Sequence, residues 1–130
     1  MICADTSSFV ALLQGEPGRD VDAVRQALAN GVLVLAPASV AELLSDPGIK
    51  PSIEDSILDI PHLETTPGYW ERAGRLRARL MRHRFRPKLA DALIAQSCLD
   101  HDVVLVTRDR DFAAFQRWAG LRLVAGNPAP

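Results

Sequence analysis

The chain has 130 residues, 48% of them hydrophobic, and a formal net charge of −1. That length makes one domain, able to bury roughly two-thirds of its unfolded surface. No run approaches the roughly 20 apolar residues of a membrane span and the N-terminus lacks the pattern of a signal peptide, so a cytoplasmic protein with no membrane partner is expected.

Residues 1–4 read as a short apolar strand ending at Asp5. Thr6, Ser7 and Ser8 suit the start of a helix carrying Phe9, Val10, Leu12 and Leu13, which stops at the turn of residues 15–18. Residues 20–30 place Val21, Val24 and Leu28 at helical spacing, with Gly31 fit to end that helix. Residues 32–36 form a continuous apolar run, the pattern of a strand buried on both faces. Pro37 then opens a helix through Val40, Leu43 and Leu44, ended by Asp46-Pro47-Gly48. A short helix through Ile53, Ile57 and Leu58 leads to Pro61 and a weak strand over 62–65.

Thr66 and Pro67 predict the N-cap and first turn of the longest helix, running to about Arg84. Trp70, Ala73, Leu76, Leu80 and Met81 line its apolar face, and Arg72, Arg75, Arg79 and Arg82 the other. Pro87 separates it from a helix over 89–100; a doubly buried strand follows over 103–106. Residues 109–118 are helical with Phe112 and Phe115 inward, and 121–124 is a last edge strand. The domain spans 1–125 and the tail 126–130 is expected to be loose. Cys3 and Cys98, too few for a disulfide scaffold, read as buried free thiols.

Strands alternate with helices, so a parallel α/β sheet is the expected class, with ligands outside the carboxyl ends of its strands. Four acids fall at that edge. Asp5 ends the first strand and Asp109 follows the penultimate one. Glu42 lies in the opening turns of a helix that leaves the edge, and Asp91 in the first turn of a helix that feeds a strand antiparallel to itself. Singly, each also reads as a cap, a helix-dipole acid or a solvated residue. Together they repel by about 4 kcal/mol per pair at 4 Å and an effective dielectric of 20, so a cation is expected among them. All-oxygen ligands select Mg²⁺ or Mn²⁺, one or two ions, and the chemistry is a phosphodiesterase's, with a polarised phosphoryl oxygen and a water of lowered pKa. Asp5 and Asp91 are expected as direct ligands, Glu42 and Asp109 as ligands directly or through water, and Ser7 and Thr107 as hydroxyls orienting the carboxylates.

These segments resemble a known family. ADTSSFVALL, VAELL, ADALIAQSCL and VLVTRDRDF match, in order, the acidic motifs of the PIN-domain ribonucleases, and within them the VapC-type toxins. The resemblance covers the whole chain and implies a five-stranded parallel sheet, order 3-2-1-4-5, with helices on both faces. It places the acidic quartet on Asp5, Glu42, Asp91 and Asp109, with Asp111 a further acid expected behind the ligands, beside Ser7 and Thr107. It also implies Mg²⁺- or Mn²⁺-dependent endonucleolytic cleavage of RNA (tRNA, rRNA or mRNA), a homodimer, and inhibition by a VapB-like antitoxin.

The run from 72 to 88 departs from the family motifs. It holds eight basic residues (Arg72, Arg75, Arg77, Arg79, Arg82, Arg84, Arg86 and Lys88) and no acid. It is either a surface for RNA phosphates or an acidic partner, or a solvated helix face. Two other functions compete with the toxin: a housekeeping RNA-processing nuclease, and a PIN-like module that binds without cleaving. A response-regulator receiver domain is excluded, because it needs two acids after the first strand, a phosphoacceptor Asp and a distal Lys.

Overall fold

The computed structural model describes residues 1–125; the tail expected to be loose lies outside them. Four parallel strands form one sheet: β1 (Ile2–Ala4), β2 (Leu33–Val34), β3 (Val104–Thr107) and β4 (Leu123–Ala125), in the order β2-β1-β3-β4. The helices are α1 (Thr6–Leu13), α2 (Arg19–Ala29), α3 (Pro37–Leu44), α4 (Pro51–Asp59), α5 (Tyr69–Arg82), α6 (Leu89–His101) and α7 (Ala113–Ala119), the last preceded by a 3-10 turn, Arg110–Phe112. No helix among the described residues is long and apolar enough to cross a membrane.

Strand side chains alternate between faces. Cys3 and Leu105 therefore pack with Leu80, Ile94, Phe112 and Phe115 under α5, α6 and α7. Ala4 and Val106 point the other way, to Phe9, Val24 and Ile57 of α1, α2 and α4. Both faces are covered, which is why the strands read as unbroken apolar runs. Cys3 and Cys98 are free and buried, as expected.

The expected five-stranded sheet has four strands among the described residues. Residues 62–65 contribute one parallel bridge, Leu35 to His62, on the outer side of β2. Leu35 N donates to Pro61 O at 3.0 Å and Leu63 N to Leu35 O at 2.9 Å, and pairing stops there. Pro61 has no amide to donate, and Leu63 alone among residues 61–65 is buried, so nothing holds a longer ladder to the edge.

The longest helix also starts later than Thr66. Thr66 Oγ1 instead accepts from Arg72 Nη2 at 2.8 Å and donates to Asp100 Oδ2 at 3.3 Å. Gly68, at φ 83°, makes the turn into α5, and a Cβ there would lie 2.7 Å from Arg72 Nη1. The buried stripe is Tyr69, Ala73, Leu76 and Leu80. Trp70 and Met81, expected inward, are 65% and 39% exposed. At 100° per residue they stand roughly 90–110° from the centre of that stripe, beyond the buried face.

Candidate active site

The strand order reverses direction between β1 and β3. The chain leaves β1 into α1 on one face and enters β3 from α6 on the other, opening a crevice at the carboxyl ends of these two strands. Asp5 stands in it, its amide donating to Val106 O at 2.8 Å. Although Asp5 is the N-cap residue of α1, its carboxylate makes no capping bond. Its Oδ2 accepts from Ser7 Oγ at 2.6 Å and from Thr107 Oγ1 at 2.9 Å. Burial raises its pKa against the pull of those two hydroxyls and the Thr6 amide, and Asp109 repels it further.

Thr107, the last residue of β3, joins two acids. Its hydroxyl donates to Asp5 and accepts from Asp109 N at 3.0 Å. Asp109 Oδ1 then accepts from Asp111 N at 2.9 Å, capping the 3-10 turn and bringing Asp111 round toward the crevice. One carboxylate oxygen each from Asp91, Asp109 and Asp111 lie within 4.8 Å of one another. Asp111, expected behind the ligands, thus stands level with them.

Asp91 occupies the first turn of α6 and is buried. Its Oδ2 has no hydrogen-bond partner, a condition shared among the described residues only by Ser39 Oγ. Its pKa is pushed up to about 7, first by loss of solvent, then by repulsion from Asp5, Asp109 and Glu42, with Lys88 pulling the other way. Glu42 completes the rim from α3, where Thr6 Oγ1 donates to its Oε1 at 2.8 Å. It forms a wall of two clefts. One, of about 370 Å³, runs past Val10, Leu13 and Ile49; the other, of about 430 Å³, runs past Trp70 and Leu89.

Sequence reasoning missed three parts of this arrangement. Thr6 reads as a helix-start residue rather than as the partner of Glu42. Lys88 reads as one cation of a run, yet it is the N-cap residue of α6 and faces Asp91 electrostatically. Asp20 passes unremarked at the start of the helix over 20–30, and it is wholly buried. Asp20 Oδ2 accepts from Ser8 Oγ and Arg108 Nε, both at 2.8 Å, and Arg108 Nη1 reaches Glu16 Oε2 at 2.8 Å. This network fastens α1 and α2 to the segment carrying Thr107 and Asp109. No sequence signal marks Asp20 as buried.

The arginines divide. Arg72 is committed to Asp100, Thr66 and Pro67 O, and Arg77 donates to Pro87 O at 2.9 Å. Arg75, Arg79, Arg82 and Arg86 are exposed and make no hydrogen bond to the acidic crevice.

The acids that meet here fit a hard cation. Every donor is a carboxylate oxygen, and a buried one is left without a partner. Fold and crevice together define a three-layer parallel α/β domain with an acidic, cation-fitting site at its switch point. The PIN domain model matches residues 2–117, and the chain belongs to the PIN-domain family. No curated relative matches the sequence. Solved structures share the fold. A chain of VapBC2 from Rickettsia felis, bound to a DNA fragment from their promoter, is 21% identical with a TM-score of 0.74, covering 96% of this chain and 98% of that one. A chain of VapBC-1 from nontypeable Haemophilus influenzae is 20% identical with a TM-score of 0.74, covering 96% and 98%. A chain of FitAcB from Neisseria gonorrhoeae is 23% identical with a TM-score of 0.69, covering 95% and 96%.

Proposed function

We propose that this chain is a cytoplasmic, divalent-metal-dependent endoribonuclease, the toxin of a toxin–antitoxin pair. Membership of the PIN family supports a hydrolase acting on nucleic acid, and the VapBC and FitAcB complexes that share the fold support the toxin role and a VapB-like antitoxin as partner. The observation that carries the catalytic reading is the buried, unpartnered carboxylate of Asp91 held among Asp5, Asp109 and Asp111. A structural role gives no account of it, because a buried carboxylate without a partner opposes folding.

Asp5, Asp91, Asp109 and Asp111 would hold Mg²⁺ or Mn²⁺, with Glu42 reaching it directly or through water. The bound cation supplies polarisation of a phosphoryl oxygen and acidification of the attacking water. The chain's own part is orientation. Ser7 and Thr107 fix the Asp5 carboxylate, Thr107 also sets the Asp109 backbone, and Thr6 holds Glu42 at the rim. Exposed Trp70 and Leu89 beside the second cleft support a homodimer through that face.

The test is cleavage of total cellular RNA by the purified, antitoxin-free chain in Mg²⁺ or Mn²⁺ against EDTA, beside Asp5→Asn. Discrete metal-dependent fragments that the folded variant does not produce are expected. Equal cleavage by wild type and Asp5→Asn would overturn the metal-site reading.

A further inference from the structure

Two carboxylates in this molecule, Asp5 and Asp20, are gripped by consecutive residues of the same two segments. In α1, Ser7 Oγ donates to Asp5 Oδ2 at 2.6 Å, and its neighbour Ser8 Oγ donates to Asp20 Oδ2 at 2.8 Å. At the end of β3, Thr107 Oγ1 donates to Asp5 Oδ2 at 2.9 Å, and its neighbour Arg108 Nε donates to Asp20 Oδ2 at 2.8 Å. Each hydroxyl that holds the crevice acid is therefore one residue away from a donor to Asp20. Arg108 Nη2 also donates to Asp20 Oδ1 at 3.1 Å, so the pair is a two-pronged fork. The same guanidinium reaches Glu16 Oε2 at 2.8 Å and Pro17 O at 3.1 Å, which fixes it at every nitrogen.

Stability alone does not account for this arrangement. A first-turn acid serves the helix dipole from solvent, and Asp22, in the same turn of α2, does so with its side chain 76% exposed. Asp20 is instead fully buried, where an ion pair is on balance no more stabilising than apolar side chains of the same volume. What the pair adds over apolar packing is direction. Hydrogen bonds of set length hold Ser8 and Arg108 at a fixed separation, and with them the hydroxyls of Ser7 and Thr107. Arg72 and Asp100 offer the contrast. That pair is forked in the same way, at 3.0 and 2.7 Å, but it ties α5 to the C-terminal end of α6, away from Asp91.

We propose that Asp20 is a positioning residue of the acidic site: through Ser8 and Arg108 it sets the spacing of Ser7 and Thr107, and so the direction in which the Asp5 carboxylate faces a cation. Thr107 also accepts from the Asp109 amide, so the same anchor reaches a second acid of the crevice. The proposal rests on the metal-site reading and adds the buried residue on which that geometry depends.

The test is the Mn²⁺ affinity of the full chain carrying Asp20→Asn, read from the paramagnetic resonance signal of the free ion. Circular dichroism at the assay temperature establishes that the variant is folded. Asp100→Asn, which breaks the Arg72 pair, is the control for lost stability. Asp20→Asn is expected to weaken Mn²⁺ binding by about tenfold or more, as loss of a ligand-orienting partner does, with Asp100→Asn within about twofold of wild type. Asp20→Asn is then added to Thr107→Val. There its effect should shrink to about threefold or less, because one of the two hydroxyls it acts through is gone. An undiminished effect in that background would overturn the proposal. Wild-type affinity in folded Asp20→Asn would overturn it too, as would equal losses in Asp20→Asn and Asp100→Asn. If Asp20→Asn does not fold, Ser8→Ala takes its place, since it leaves the Arg108 fork intact. A loss of about threefold is then expected, and unchanged affinity would overturn the proposal. Wild type that binds no Mn²⁺, with no metal-dependent RNA cleavage, would instead bring down the metal-site reading itself.

Discussion

Replacing Asp91 by Asn should stabilise the metal-free protein while abolishing metal binding and cleavage. The crevice pushes the Asp91 carboxyl from 3.8 up to about 7, mainly through burial and then through repulsion by Asp5, Asp109 and Glu42. The folded state thus holds the proton more tightly than the unfolded chain. Stability from this group is greatest below the unfolded value, is lost as pH rises toward about 7, and is level above it. The gap between the two values is worth about 4 kcal/mol in full, of which about 3 kcal/mol falls between pH 5 and pH 8. Asp5 is shifted in the same direction, so the quantity to read is the difference between wild type and Asp91→Asn. Urea unfolding in EDTA across that pH range should show wild type losing about 3 kcal/mol more than the variant, and the variant the more stable at pH 8. Adding Mg²⁺ should recover stability in wild type only. A variant less stable than wild type at pH 8 in EDTA would refute the reasoning, and Asp91 would then be an ordinary first-turn acid favoured by the helix dipole.

Thr107→Val removes the hydroxyl shared by Asp5 and Asp109, and cleavage or metal affinity should fall 10–100-fold with little change in melting temperature. Arg108→Ala strips the buried Asp20 carboxylate of its cation and should cost about 3 kcal/mol in urea unfolding at pH 7. Burial works against the Asp20 charge, but Arg108, Ser8 and the Val21 amide outweigh it and hold its pKa low. That stability is present at neutral pH and lost as pH falls through the folded value, so the cost should shrink in acid. Adding Asp20→Asn should recover most of the loss, and a fully additive double variant would count against the pairing.

The parts of the fold legible in the sequence were those set by burial on both sides. Residues 32–36 and 103–106 read as strands because both faces of the sheet are covered, and Phe112 and Phe115 read as core because α7 has one inward face. The misreadings concern competition between partners. Thr66 was a capable N-cap, and Arg72 with Asp100 engaged its hydroxyl first. Trp70 matched helical spacing to Ala73, but the buried stripe is set by Tyr69, whose hydroxyl donates to Leu93 O at 2.7 Å. Residues 62–65 alternate weakly, and pairing beyond His62 had no buried side chain to support it.

The meeting of the acids was legible for a different reason. Each acid alone has a structural use, and Asp109 does serve one, capping the turn through Asp111 N. Their meeting follows from topology: a parallel sheet places the end of β1, the end of β3, the start of α3 and the start of α6 at one edge, and that much can be inferred from element order. What order cannot convey is which carboxylate lacks a hydrogen-bond donor. Asp5 has Ser7 and Thr107, Glu42 has Thr6, Asp20 has Ser8 and Arg108, while Asp91 Oδ2 has none. The chain can satisfy a fully buried acid where structure requires it, as at Asp20. Leaving Asp91 Oδ2 bare at the switch point is therefore a local feature, one that a proton or a bound cation would compensate. Ser39 Oγ shares that deficit among the described residues, but Asp91 alone combines it with a carboxyl surrounded by other acids, and that combination is what a collection of helix caps would not produce.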